Sequence, residues 1–313
     1  MGLADDLVEI AGKKSTGFGT NKADERDNLE TAQTMFLTDA DITAIADVLF
    51  TAANGAGTAA EFANVAAKDL QTAAKQVGFR PVSVDVALFG RMTTTEALRD
   101  VQAAAQVAHA LSTHKVDHEF DYFTAVDDRQ GSSGEEEDAG ADMIGDVEYN
   151  SACYYKYISI DFGGLVDNLT GVRSAGRKDV PADEQAAAVK LAGDAVLALI
   201  KAATLTTPTG KQNSFAAHQL PDTILVEIRP KNTPVSYANA FVKPARSGHD
   251  SLTEDSRNKL KQHVQAITAG FDLTSNARLL LCPEDTAFTI EGTERVASLN
   301  ALGSRIAEVI THG

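Results

Sequence analysis

Apolar residues recur at helical spacing along much of the chain. Ile42, Ile45 and Leu49 form one stripe, and the hydroxyl of Thr38 before them suits a helix N-cap. Pro181 likewise suits the first turn of a later helix. Helices are therefore predicted from Thr38, over about 58–77 and 95–113, from Pro181 to Lys201, over a stretch ending at Gly270, and through 299–309.

Short runs of β-branched and aromatic residues predict the strands. Residues 82–89, closed by Gly90, are predicted as one strand, and 222–230 and 278–282 as two more. Between 119 and 160, two such runs flank a segment rich in Gly, Ser and acids, which predicts an extended β-hairpin with a solvated tip. Strands followed by helices that cover one face predict an α+β sandwich with a helical insertion and a projecting hairpin.

Length and composition exclude several classes of protein. With 313 residues and 43% hydrophobic residues, the chain can bury a sizeable core. No run approaches the roughly 18 apolar residues of a membrane helix, and the N-terminus lacks the basic and apolar regions of a signal peptide. We therefore expect a cytoplasmic protein without membrane contact. Cys153 and Cys282 belong to no CxxC pair, which predicts reduced, buried thiols.

Charge is distributed unevenly. The net charge of −16 argues, as an average, against nucleic-acid binding. Residues 117–148, however, contain twelve acids and one Arg, so they account for −11 of it. Residues 171–247 contain ten Lys and Arg against six acids, a net +4. Because binding responds to the local field, the net charge of the whole chain excludes little.

Two histidines raise the possibility of a metal site. His114 and His118 are four residues apart, with Glu119 and Asp121 following. A zinc-protease helix would need Glu directly after the first His, where this chain has Lys115. We therefore favour solvated histidines at the end of an element and expect no metal or other cofactor. A metal-dependent hydrolase that uses these two histidines and the nearby carboxylates is kept as the alternative.

The segment "TPTGKQNS" (207–214) has some features of a phosphate-binding loop. The Walker pattern fails, because Leu205 stands where its first Gly belongs and Gln212 follows Lys211. Lys211, Gln212 and Asn213 nevertheless offer hydrogen-bond donors that suit sugar and phosphate groups. An ordinary polar turn is the alternative interpretation.

Five separated blocks together resemble a known family. The stretch "HEFDYFTAVDD" (118–128) sets rings among carboxylates, which suits neither a core strand nor a solvated loop and therefore predicts a contact surface. With four other blocks, in order, it resembles CasC, the backbone subunit of the type I-E CRISPR surveillance complex, Cascade. The blocks are "VDVALFGRM" (84–92), "QVAHALSTHKVDHEFDYFTAVDD" (106–128), "DAGADMIGDVEYNSACYYKY" (138–157), "TGKQNSFAAH" (209–218) and "PVSYANAFVKPAR" (234–246).

The resemblance implies an architecture and a role. It implies an RRM-like (ferredoxin-like) palm over 151–313, a helical fingers region with one strand over 1–116, and a β-hairpin thumb over 117–150. The subunit would be non-enzymatic and would polymerise along a guide RNA (crRNA) with further copies of itself in a helical filament. Other Cascade subunits would be partners, and target DNA would be bound through the guide.

The resemblance also implies site residues. In relatives the thumb of one subunit folds over the guide of its neighbour and displaces one base at regular intervals. The match assigns Met92, Tyr122 and Phe123 to that kink, where Tyr122 replaces the bulkier Trp of some relatives. It assigns Lys211 and Gln212, with Asn213 beside them, to the guide backbone.

The N-terminus departs from the family pattern. Relatives open with a strand, a basic segment and a helix, whereas "MGLADDLVEIAGKKSTGF" (1–18) resembles only the end of that region. We therefore expect that about fifty residues of the family pattern are missing. We also expect this short form to bind RNA poorly alone.

Overall fold

The chain forms two units that alternate along the sequence, and its fold is mixed α+β as predicted. The computed structural model describes residues 10–11, 13–15, 35–77, 81–93, 95, 97–125, 143–248 and 251–312. The first unit comprises Met1–Val107, Ile158–Leu220 and Gly303–Gly313, and the second comprises Ala108–Tyr157 and Pro221–Leu302. None of the helices in these described ranges is both long and apolar enough to cross a membrane.

Between residues 39 and 76 the first unit forms three helices: α1 (Asp39–Ala56), α2 (Ala59–Ala63) and α3 (Ala67–Gln76). The predicted Thr38 cap of α1 is confirmed, since its hydroxyl accepts from the Asp41 N–H at 3.1 Å. Asp41 in turn accepts from the Thr38 N–H at 3.2 Å, which completes a capping box. The helix predicted over 58–77 is divided at Asn64, and Phe62 and Leu70 on the two pieces pack in one core.

Two predictions over residues 82–113 are wrong. The predicted strand is a short helix, α4 (Val84–Phe89), in which Val86, Ala87 and Leu88 are all buried. Gly90 ends this helix with φ 78°, and a Cβ there would lie 2.7 Å from the carbonyl oxygen of Val101.

Much of the predicted helix over 95–113 is instead extended. Arg91 bridges Val101, and β1 (Ala105–Val107) and β2 (Leu111–Ser112) follow. β1 pairs antiparallel with β6 (Ile158–Ile160), a partner that lies far along the sequence. Long-range pairing therefore outweighs local helix propensity in this stretch.

The rest of the first unit is helical. It contains α5 (Phe162–Thr170), α6 (Val172–Ala175), α7 (Ala182–Leu205) and α8 (Gln212–Phe215), with α7 starting after Pro181 as predicted. The side-chain amide of Asn168 on α5 donates to the carbonyl oxygens of Ala87 and Gln102 at 2.9 and 2.8 Å. This buried amide ties α5 to α4 and to the segment before β1.

A hairpin and a short ladder begin the second unit. β2 pairs with β5 (Tyr154–Tyr155), and β3 (Glu119–Ala125) pairs antiparallel with β4 (Met143–Tyr149). A hairpin is therefore present as predicted, but the second predicted run, 147–161, contributes only 147–149 to it, and the remainder forms β5 and β6, which pair with β2 and β1. Of the predicted acidic tip, 127–146, residues 127–142 lie outside the described residues, and 143–146 belong to β4.

A three-stranded sheet completes the second unit. The order is β7 (Ile224–Ile228), β8 (Ala277–Leu281), β9 (Glu294–Arg295), with β7 and β8 antiparallel and β8 and β9 parallel. The same unit contains a 3₁₀ turn (Ala238–Phe241) and α9 (Leu252–Gly270). The core of this unit includes Cys282, whose thiol is buried as predicted. The chain ends in the predicted terminal helix, α10 (Leu299–His312).

Candidate nucleic-acid interface

The β3–β4 hairpin displays aromatic rings on both faces. Because side chains alternate along a strand, Tyr122 and Phe123 lie on opposite faces. Tyr122 pairs with Asp146, and its side chain is 75% exposed. Phe123 is 41% exposed and pairs with Gly145, over which its ring lies. One ring is thus directed to solvent, and the other rests on its own hairpin.

Polar pairs join the two strands at the base of the hairpin. His118 contacts the carboxylate of Glu148, and the Tyr149 hydroxyl donates to Glu119 at 3.0 Å. The hydrogen bond and the charge of Glu119 raise the pKa of Tyr149 above its ordinary value. These contacts give His118 and Glu119 partners within the hairpin.

The histidines do not form a recognisable metal site. Nδ1 of His114 lies 2.7 Å from the carbonyl oxygen of Lys115. Within the part of the chain that the structure describes, no three His, Cys, Asp or Glu side chains are grouped so that they could hold a metal ion. The hydrolase alternative therefore gains no support from this geometry.

Met92 follows a buried arginine and is almost fully exposed. Arg91 Nη1 donates to Asp41 Oδ2 at 2.6 Å, with only 4% and 3% of the two side chains exposed. Its Nε and Nη2 donate to the carbonyl oxygen of Arg99 at 3.2 and 3.1 Å, and Nη1 also donates to that of Phe36. Met92 itself is 93% exposed. The chain therefore presents an apolar side chain beside an anchored one.

Asp41 carries the charge that balances Arg91. Burial raises the pKa of Asp41, but the hydrogen bond and charge of Arg91, together with Thr38, outweigh it and hold the pKa below its ordinary value. This pair was not predicted from the sequence. Its one local signal is an acid at the third position of a capped helix, which does not reveal a partner fifty residues away.

The side chain of Gln212 stabilises the turn that contains Lys211. Lys211 has φ 63°, a left-handed conformation that is uncommon for a residue with a Cβ. Nε2 of Gln212 donates to the carbonyl oxygen of Pro208 at 2.9 Å and makes longer contacts, at 3.4 Å, with Thr207 and Ala217. Lys211 and Asn213 are exposed, whereas Gln212 is half-buried. The amide of Gln212 thus shapes a turn that presents its two neighbours.

The predicted site residues fall into three places. Lys211, Gln212 and Asn213 share one turn of the first unit, and Met92 follows Arg91 in the same unit. Tyr122 and Phe123 share one strand of the second unit.

Comparisons with known proteins agree with the resemblance predicted from the motif blocks. The CT1975-like protein family matches residues 3–307. A chain of a solved "CRISPR RNA-guided surveillance complex, pre-nicking" is 25% identical, with a TM-score of 0.74 over 99% of this chain and 79% of that chain. A chain of another CRISPR RNA-guided surveillance complex shares the fold at 24% identity, with a TM-score of 0.57 over 88% of this chain and 86% of that chain. No curated protein matches.

Proposed function

The chain belongs to the CT1975-like protein family, and on that premise we propose that it is a guide-RNA-binding backbone subunit of a CRISPR RNA-guided surveillance complex. The observation that carries the proposal is the likeness of nearly the whole chain to a chain of such a complex. The five motif blocks support the same role. The subunit presents the guide for pairing with target DNA in antiviral defence, and the proposal requires no catalytic residue of this chain.

The finer architecture is part of the proposal. Residues 1–116 form the helical fingers region, 117–150 the thumb and 151–313 the RRM-like palm. The β3–β4 hairpin supports the thumb assignment, because it has exposed rings on a two-stranded ladder. Copies of the chain follow one another along the guide in a filament and bind other subunits of the complex.

Aromatic and apolar side chains meet bases in this proposal. Stacking of a base on a ring contributes roughly 1–3 kcal/mol and tolerates any sequence, which a subunit repeated along an arbitrary guide requires. Tyr122, Phe123 and Met92 are exposed to the degree that such contacts need. The acids that flank the rings repel the phosphates of the RNA. The rings, rather than the charged side chains, therefore contact the RNA.

Phosphate contacts come from the basic part of the chain. Lys211 supplies a point charge on an exposed turn, and Asn213 adds a donor. Gln212 contacts the guide backbone from the same turn, while its amide nitrogen also donates to the carbonyl oxygen of Pro208.

Binding of guide RNA tests the proposal directly. The full chain, together with the other subunits of the complex, should bind single-stranded RNAs of unrelated sequence with similar affinity, and log K should fall linearly with log salt. Electron microscopy of the assembled complex should show copies at a regular spacing. An absence of RNA binding, both alone and with the other subunits of the complex, would refute the function.

A further inference from the structure

We infer that Gly145 is a positioning residue for Phe123, an inference that rests on the proposed function. The two residues face each other in the β3–β4 register, one pair beyond the middle of the ladder. A Cβ added at Gly145 would lie 2.6 Å from Cζ and 2.8 Å from Cε1 of the Phe123 ring. These distances are far shorter than ordinary van der Waals contact. The ring therefore occupies the space that any other residue would fill.

The backbone gives no separate reason for glycine at this position. The glycines with positive φ in the described residues are 57, 90, 171, 176 and 292, and Gly145 is not among them. Glycine in the interior of a strand weakens it, because it loses more conformational freedom on folding and packs no side chain. Space for the ring is thus the use that the geometry assigns to Gly145.

This packing determines how Phe123 is presented. A two-stranded ladder offers few neighbours to hold an exposed ring in one rotamer. Because the end of the Phe123 ring lies over Gly145, one side of the ring is held by the hairpin while 41% of the residue stays exposed. A ring held in this way is preorganised for a base, since less rotamer freedom is lost on binding.

Replacing Gly145 should release the ring without unfolding the hairpin. Alanine fits the backbone conformation and favours the strand more than glycine does. The atoms that its Cβ meets belong to the far end of a partly exposed side chain, which can swing towards solvent. If Gly145 did not position Phe123, Gly145→Ala should therefore give an equally or more stable hairpin and leave RNA binding unchanged.

A double-mutant cycle tests the inference with the full chain, the other subunits of the complex and a single-stranded RNA. Gly145→Ala and Phe123→Ala should each weaken binding by about tenfold, as expected for losing one ordered stacking contact. The double variant should bind no more weakly than either single variant, because Gly145 acts through Phe123. Gly193→Ala on α7, where an added Cβ meets nothing within 4 Å, is the matched control and should bind like the wild type.

NMR of the protein without RNA tests the packing independently. In the wild type, the Gly145 Hα protons should show a ring-current shift that disappears in Phe123→Ala. In Gly145→Ala, the methyl group of residue 145 should resonate at an ordinary position, because the ring has moved away. A strongly upfield methyl signal would mean that the ring stays in place, and would overturn the inference.

The outcomes separate this inference from the proposed function. If the wild type binds no RNA, both alone and with the other subunits of the complex, the proposed function fails, whatever the NMR spectra show. If the wild type binds and Gly145→Ala binds equally well, the function stands and the positioning role is refuted. Additive losses in the double variant would likewise show that Gly145 does not act through Phe123.

Discussion

The buried Arg91–Asp41 pair should dominate the stability of the segment that presents Met92. Asp41→Asn removes the negative charge while keeping a side chain of similar shape. Arg91 then keeps its bonds to the carbonyl oxygens of Phe36 and Arg99 but loses its only carboxylate partner in the described part of the chain. Because only 4% of the Arg91 side chain is exposed, water cannot solvate the guanidinium in place of the lost carboxylate.

The expected magnitude follows from this burial. Removing one partner of a buried ion pair costs about 3–5 kcal/mol, because the remaining charge stays uncompensated. Asn can still accept one hydrogen bond from Arg91, so we expect about 3 kcal/mol for Asp41→Asn. Asp41→Ala also removes the acceptor for the Thr38 N–H, which adds about 1 kcal/mol for the lost half of the capping box.

Urea unfolding at neutral pH measures this loss as a difference in the free energy of unfolding. Asp47→Asn on an exposed position of the same helix is the matched control, and it should change stability by no more than about 0.5 kcal/mol. The reasoning is refuted if Asp41→Asn costs no more than the control.

The pH dependence provides a second check. Because the folded pKa of Asp41 lies below its ordinary value, the ionised carboxylate stabilises the fold above the unfolded pKa, about 3.9. That contribution is lost as pH falls through the folded pKa. The stability difference between wild type and Asp41→Asn should therefore be constant at neutral pH and shrink below about pH 4. A difference that stays unchanged into strong acid would contradict the assigned charge.

Two further predictions concern RNA. Lys211→Ala should weaken binding similarly for unrelated guides, since a lysine that contacts phosphate does not recognise sequence. It should also make the negative slope of log K against log salt shallower by about one unit or less. A loss confined to particular guides would contradict this. Phe123→Ala combined with Met92→Ala should lower assembly on guide RNA and blur the regular pattern of displaced bases, while circular dichroism shows a folded monomer. Chemical probing of the bases in the assembled complex checks this. Unchanged periodic reactivity would mean that the two side chains serve only the packing of the protein.

Local signals in the sequence were sufficient for the long helices and the hairpin. The capping hydroxyl of Thr38 and the start at Pro181 lie within one turn of the helices they begin, so a short window contains the whole signal. The hairpin strands are close in sequence, and their composition is typical of strands. The motif blocks indicated a family relationship, and the family match over residues 3–307 agrees with it.

Tertiary contacts decided the elements and partners that local patterns could not. Residues 84–89 are helical because Ala87 and Leu88 pack with Leu165 in one core, and the β-branched run in that stretch does not encode this contact. β1 is a strand because it pairs with Ile158–Ile160, which lies about fifty residues away in the sequence. The same distance separates Arg91 from Asp41, and the fit of Gly145 under Phe123 depends on strand register. Such pairings depend on where the chain folds back, and propensity within a short window carries no information about that.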